Sequence, residues 1–210
     1  TFPRELYKKA AEVGLMASGF DEKHGGTTET DAFYTLLGCV ELAKCASGGL
    51  VASLLSHMIG APPINSFASE EIKAEVLPKI LSGEKISALA ITEPGGGSDV
   101  AALQTKAIKD GDDYIVTGEK TFITSGIRAD YYTVAVRTDP EAKGPNGISM
   151  LLIDAHSAGI TKNKLDKMGW WASDTAHLHF DLVRVPARNL IRPENLGFFV
   201  IMIYFNMVGF

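Results

Sequence analysis

The spacing of the apolar residues changes once along this 210-residue chain, just after Gly83, and that change limits the fold more than any other feature. Before it, apolar residues recur every three or four positions, as on one face of a helix; after it they alternate with a period of two, as on a strand. A chain patterned this way is α+β, with its helices and strands in separate stretches. Residues 1–86 are expected to be helical, 87–195 to form an antiparallel β unit, and helix is expected to resume near Leu196.

Within the helical stretch, "PRELYKKAAEVGL" puts Leu6, Ala10 and Val13 on one face. Thr30 or Asp31 is a candidate N-cap for "AFYTLLGCVELAKCAS", whose Phe33, Leu36, Leu37 and Val40 share a helical face. "GLVASLLSHMIG" is apolar nearly all round and is expected to be buried, with Pro62-Pro63 ending it. Ser69 is expected to cap "EEIKAEVLPKILSGE", where Glu70 and Glu71 suit the positive end of the helix dipole. In the β stretch, Asp110-Gly111 and Gly118 read as hairpin breaks, which puts Glu119 in a solvated turn. In "TAHLHFDLVRVP", Ala176, Leu178 and Phe180 alternate with His177, His179 and Asp181. "LGFFVIMIYFNMVGF", 196–210, is too short to span a bilayer and contains Asn206; it reads as a core helix that has just begun.

The net charge of −5, with no dense basic run, argues against a nucleic-acid partner. Cys39 and Cys45, the only cysteines, make neither a disulfide framework nor a metal spacing and are expected to be buried free thiols in a reducing compartment. No charged-then-apolar leader follows Thr1. Of the five histidines only His177 and His179 share a spacing, on one strand face, and no third ligand is nearby in sequence, so no metal is expected. Trp170 and Trp171 are read as core and turn packing.

"ITEPGGGSDV", 91–100, is the segment where chemistry is most to be sought. It lacks the Lys-Ser or Lys-Thr of a Walker loop. Gly95 and Gly97 have the spacing of a dinucleotide fingerprint, but Val100 occupies the third glycine position and hairpins follow in place of a crossover. Two readings stay open on the residues alone. In one, Thr92, Ser98 and bare backbone line a phosphate or a flat ring; in the other, the glycines form a wide turn into the β unit.

"ALAITEPGGGSD", "DYIVTGEKTFITSGIRAD" and "KMGWWASDTAHLHFDLVRVPARNLI" together resemble the acyl-CoA dehydrogenase family, in register and over essentially the whole chain. The resemblance implies a helical N-terminal domain (1–86), an antiparallel β-barrel-like middle domain (87–195) and, at 196–210, the truncated start of a C-terminal helical bundle. It implies FAD against Leu89, Ala90, Ile91, Thr92, Glu93, Pro94, Gly95, Gly96, Gly97 and Ser98, and against Phe122, Ile123 and Thr124. Phe122 stands where many members carry Trp, which keeps a π face and loses an N–H. Substrate contacts fall to Ser98, toward the acyl-CoA thioester, and to Pro145 and Asn146 in "EAKGPNG", a loop near the CoA nucleotide that also carries Lys143.

The reaction implied is α,β-dehydrogenation of a fatty acyl-CoA to the trans-2-enoyl-CoA, a step of fatty acid β-oxidation, with electron-transfer flavoprotein as acceptor. By analogy neither Glu93 nor Asp99 is the base; both are expected to stabilise turns or cap backbone. The catalytic glutamate belongs to the C-terminal bundle, so no catalytic residue is assigned within 1–210. The full-length form is expected to be a homotetramer in the bacterial cytoplasm or mitochondrial matrix. Two alternatives accompany this reading: a non-catalytic FAD- or acyl-CoA-binding fragment, and a sister acyl-CoA oxidase or flavin monooxygenase of the same fold. The compact loop at 139–147 leans against an oxidase.

Overall fold

A computed structural model describes residues 2–28, 31–191 and 193–208, with no side-chain description for Ala32 or for 206–208. Helix α1 (Glu5–Glu12) buries Tyr7 and Ala10. It ends before Val13, and Gly14 (φ +80°) turns the chain away, so Val13 is exposed and does not join Ala10's face as expected.

Helix α2 (Ala32–Ala43) starts at Asp31, whose carboxylate accepts from Phe33 N at 2.9 Å; the other cap candidate, Thr30, lies outside the described residues. The predicted apolar face forms, but Phe33, Leu36, Leu37 and Val40 are all exposed. Cys39 and Cys45 are exposed with it, against the expectation of buried thiols. The helical pattern is local, whereas burial needs a second surface, and among the described residues α2 has none over this face.

The run expected to be one buried helix is three short ones: α3 (Gly48–Leu54), α4 (His57–Gly60) and α5 (Pro62–Phe67). Pro62-Pro63 opens α5 and does not simply end the run, because a proline costs nothing at the first helical position, where its missing N–H has no acceptor. Ser69 caps α6 (Glu70–Leu81) through Ile72 N as expected, and Ile72, Val76, Leu77, Ile80 and Leu81 are buried.

Eight strands follow: β1 (Ser87–Ala90), β2 (Lys106–Asp110), β3 (Asp113–Thr124), β4 (Tyr131–Arg137), β5 (Ile148–Asp154), β6 (Ile160–Lys164), β7 (Thr175–Pro186) and β8 (Leu190–Ile191). Their order is β6-β7-β3-β2-β4-β5-β8, with β1 beside β4, and the path does not close into a barrel. Pairing is antiparallel except β1 with β4 and the single Lys106–Arg137 pair of β2 with β4. Gly111 (φ +61°) makes the two-residue β2–β3 turn as predicted.

Gly118 does not break the chain into a hairpin. It sits inside β3 at a bulge, with φ +147°, and an added Cβ would lie 2.7 Å from the Thr105 backbone. Glu119 is therefore mid-strand, not in a turn.

Both faces of β4 and β5 are covered. Tyr132, Val134, Leu151 and Ile153 join the core shared with α1, β3 and β7, while Ala135, Ile148, Met150 and Leu152 join the core under α5, α6 and α7 (Gly197–Val208). Two-sided burial is why β4 and β5 read as nearly continuous apolar runs. The predicted last helix forms; Val200 and Ile201 are buried, and Phe199, Ile203 and Phe205 are exposed. The last two residues of the predicted segment, Gly209 and Phe210, lie outside the described residues. Among the described residues no helix is long and apolar enough to cross a membrane.

Candidate ligand-binding site

The glycine segment leaves β1 and is closed by two hydrogen bonds, Glu93 N to Gly96 O and Gly96 N to Glu93 O, each 3.1 Å. None of Gly95, Gly96 and Gly97 has a left-handed φ. Gly97 is explained by packing, since its Cβ would meet Thr92 Cγ2 at 3.0 Å. At Gly95 and Gly96 an added Cβ would meet no protein atom within 4 Å. Neither this chain's conformation nor its packing demands glycine there. Pro94 through Asp99 are exposed.

Below the exposed turn the segment is fastened by a buried ion pair. Glu93 accepts from Gln104 N (2.6 Å), Thr105 N (2.9 Å) and Lys120 Nζ (2.8 Å), and Lys120 also donates to Ile91 O (2.9 Å). Lys120 is wholly buried. Burial pulls its ammonium down to about 8, partly opposed by Glu93. Burial pushes Glu93 up, but Lys120, Thr105 and Gln104 outweigh it and hold the carboxyl below its ordinary range. A carboxylate so engaged caps backbone, as expected for Glu93. Asp99 is exposed, and its side chain does not cap the short helical turn after it.

The same strand carries the second predicted segment. Thr121 N donates to Thr92 O (2.8 Å), so 121–124 lies directly beside the glycine segment. The β3–β7 register slips between Lys120 and Ile123, and at that bulge Phe122 takes φ +59° with its side chain exposed. A left-handed non-glycine residue costs about 1–2 kcal/mol and marks places where function sets the backbone. Leu89, Ala90, Ile91, Ile123 and Thr124 are buried or half-buried; Ser98 is exposed at the turn. Just beyond, Ser125 N donates to Asp174 O, and the Asp174 carboxylate accepts from Ile127 N and pairs with Arg128.

The third predicted segment, with Pro145 and Asn146, is the β4–β5 loop. It does not touch Phe122–Thr124 through any hydrogen bond between described residues. It is tied to the stretch after the glycine segment by Arg137, which donates to Ala101 O and Leu103 O on one side and to Ala142 O, Gly144 O and Asn146 O on the other.

Sequence reasoning missed Lys120 and Arg137. Lys120 left a trace: it falls in the inward phase of Tyr114, Val116 and Gly118, where a charge needs a buried partner. Trp170 and Trp171, expected in packing, are mostly exposed. Trp170 (φ +54°) does lie against α3, where a Cβ at Gly49 would come within 2.8 Å of its backbone. His177 and His179 share a strand face and flank Glu119 at 3.6 and 3.3 Å; among the described residues no group of three or more side chains is arranged to hold a metal.

The fold and this site define a helical unit joined to a mostly antiparallel sheet, with an exposed turn of bare backbone at the start of the sheet. Two family models match the chain: acyl-CoA dehydrogenase, N-terminal domain, over residues 1–84, and acyl-CoA dehydrogenase, middle domain, over 88–183. The chain belongs to the acyl-CoA dehydrogenase family. It is 37% identical over 198 residues to cyclohexane-1-carbonyl-CoA dehydrogenase of Geobacter metallireducens, covering 93% of this chain and 51% of that protein. It is 40% identical over 201 residues to the mitochondrial long-chain specific acyl-CoA dehydrogenase of Sus scrofa, covering 95% and 46%. A crystal structure of a probable acyl-CoA dehydrogenase from Mycobacterium abscessus superposes with a TM-score of 0.92 at 47% identity, covering 97% of this chain and 54% of that one. The chain thus spans about half the length of the relatives it matches.

Proposed function

We propose that these residues form the flavin-holding half of an enzyme that converts an acyl-CoA to its trans-2-enoyl-CoA. The observation that carries this reading is the bare backbone at Gly95 and Gly96, which nothing in the chain's own packing explains, beside an exposed Phe122 held in a left-handed conformation. A cradle that a side chain would fill, next to an aromatic face, suits a flat ring joined to phosphates.

FAD, when bound, supplies the acceptor for the hydride that leaves the substrate's β-carbon. The chain's own residues bind and orient. Leu89 through Ser98 supply backbone and hydroxyls around the cofactor, and Phe122, Ile123 and Thr124 a wall against its ring system. The Ser98 hydroxyl also faces the thioester arm, while Pro145 and Asn146 meet the nucleotide end of the CoA. Two structural units, 1–86 and 87–195, meet a C-terminal helical bundle that begins at 196 and covers the apolar faces of α2 and α7; the half-length match to relatives supports this. The glutamate that removes the α-proton lies in that bundle. Electron-transfer flavoprotein accepts the electrons, the whole protein is a homo-oligomer, and it works in a bacterial cytoplasm or a mitochondrial matrix.

Gly96→Val tests the cradle. A Cβ there meets no protein atom, so folding stability should change by no more than about 0.5 kcal/mol, the usual range for an exposed site. FAD content of the purified protein should nevertheless fall; stoichiometric FAD in Gly96→Val would leave the segment a plain turn. For the reaction, anaerobic bleaching of flavin absorbance by octanoyl-CoA or palmitoyl-CoA should be negligible with residues 1–210 alone and appear once a C-terminal helical domain is present. Absence of a general base costs on the order of 10²–10⁴ in rate. Bleaching by 1–210 at an enzymatic rate would place the base among its own carboxylates.

A further inference from the structure

Arg137 closes β4 with its guanidinium turned away from solvent, only 9% of the residue remaining exposed. All five of its N–H groups are used, and every acceptor is a backbone carbonyl. Nε donates to Leu103 O at 3.2 Å and Nη2 to Ala101 O at 2.9 Å. Nη1 donates to Ala142 O (3.2 Å) and Asn146 O (3.0 Å), and Nη2 to Gly144 O (3.3 Å). Among the described residues no carboxylate pairs with it.

Two consequences follow. The guanidinium fork is planar and rigid, so meeting three carbonyls of one loop and two of another fixes the loops relative to each other. With the carbonyls of Ala142, Gly144 and Asn146 drawn inward, the amides of Lys143, Gly144, Asn146 and Gly147 donate to no acceptor among the described residues. The exposed part of the loop thus carries the amides of Lys143, Gly144 and Asn146 and the Lys143 ammonium, beside the carboxylates of Glu141 and of Asp139, which accepts from Glu141 N and Ala142 N. On the near side, the 101–103 stretch runs straight into Gln104 and Thr105, whose amides hold Glu93 and with it the glycine segment.

We propose that Arg137 is a positioning residue for substrate. It sets the 142–146 loop at a fixed distance and angle from the glycine segment, so that the nucleotide end of an acyl-CoA is held in register with the acyl end. This rests on the acyl-CoA reading above and adds to it a residue that touches neither ligand.

The test compares Arg137→Gln and Arg137→Lys holoenzymes with the parent, on an acyl-CoA and on the corresponding acyl-pantetheine, which has the thioester and lacks the nucleotide. For acyl-CoA, kcat/KM should fall roughly tenfold to a hundredfold, mostly through KM, the scale of loss expected when a remote positioning contact slips. For acyl-pantetheine it should fall by less than about threefold, because no nucleotide is there to be misplaced. Lysine keeps the charge but has three donors in place of five, so Arg137→Lys should show the same split at smaller size, and it decides the matter should Arg137→Gln not fold. Amide hydrogen exchange should also quicken at 101–104 and 142–147 in Arg137→Lys. Equal losses on both substrates, no loss on either, or unchanged exchange in those two stretches would overturn the proposal. A parent holoenzyme inactive on every acyl-CoA would instead refute the functional reading on which the proposal rests.

Discussion

Replacing Lys120 with methionine keeps most of the side-chain volume and removes the charge that faces Glu93. Stranding one partner of a buried ion pair typically costs about 3–5 kcal/mol. Here two features pull the figure to the low end. Glu93 keeps its bonds from Gln104 N and Thr105 N, and a stranded carboxyl can escape by taking a proton. At pH 7 that escape costs a group of ordinary pKa 4.5 about 3 kcal/mol, at ~1.4 kcal/mol per pH unit, which caps the loss. The same arithmetic shrinks the loss to about 1 kcal/mol at pH 5.

Urea unfolding of the purified protein, followed by circular dichroism at the two pH values, reads both numbers. Thermal midpoints should drop by roughly 6–12 °C at pH 7 for a chain of this size. The double variant Glu93→Gln/Lys120→Met removes both charges and should recover much of the loss. In the parent, folding holds the Lys120 pKa near 8 against an ordinary 10.5, so between those values the unfolded chain binds a proton the folded one has lost. This group therefore adds stability as pH rises from 8 to 10.5, and Lys120→Met should lack that rise. A pH 7 loss under about 1 kcal/mol, or a double variant as unstable as the single, would refute the claim that the pair is what holds the glycine segment.

His57 is fully buried, with Nδ1 3.1 Å from Leu54 O, and burial lowers its pKa from 6.5 to about 4. Its neutral form contributes stability that is complete above pH 6.5 and lost as pH falls toward 4, about 3 kcal/mol in all; His57→Gln should flatten that part of the stability–pH curve by a comparable amount. Phe122→Gly relieves a left-handed φ at the expense of a largely exposed ring, so thermal unfolding should show a protein at least as stable as the parent, while equilibrium dialysis shows weaker FAD binding. Loss of stability in Phe122→Gly would mean that the ring packs and the conformation is incidental.

What could be read from the sequence was what is decided within a few residues. Asp31 and Ser69 cap because a short acceptor side chain meets an amide two or three positions on, and Gly111 turns because its φ is a property of one residue. Gly118 was misread because a glycine between two apolar runs signals a turn or a bulge alike; the approach of Thr105, thirteen residues away, makes it a bulge. Pro62-Pro63 has the same ambiguity, between stopping one helix and starting another. The exposure of α2, of Trp170 and of the two cysteines depends on whether a second surface covers them, which periodicity does not encode. Arg137 is the extreme case, since its acceptors come from a loop five to nine residues ahead and a stretch more than thirty residues behind.

The site is organised so that its polar fixings lie behind it. Glu93 and Lys120 anchor the glycine segment from inside the sheet, Arg137 does the same for the β4–β5 loop, and Asp174 with Arg128 for the end of β3. Each satisfies backbone groups that loops would otherwise leave to water, and each leaves the outward face of its loop free. That division explains why a buried lysine, an unneutralised arginine and a strained phenylalanine are tolerated together. An apolar core at these positions would be more stable, since buried pairs seldom outperform hydrophobic packing. It could not hold three loops at fixed separations, because packed side chains constrain volume and a hydrogen-bonded charge constrains the direction of each carbonyl and amide. Gly95 and Gly96 complete the arrangement: with the backbone fixed from behind and no Cβ in front, the surface of the turn is the peptide itself.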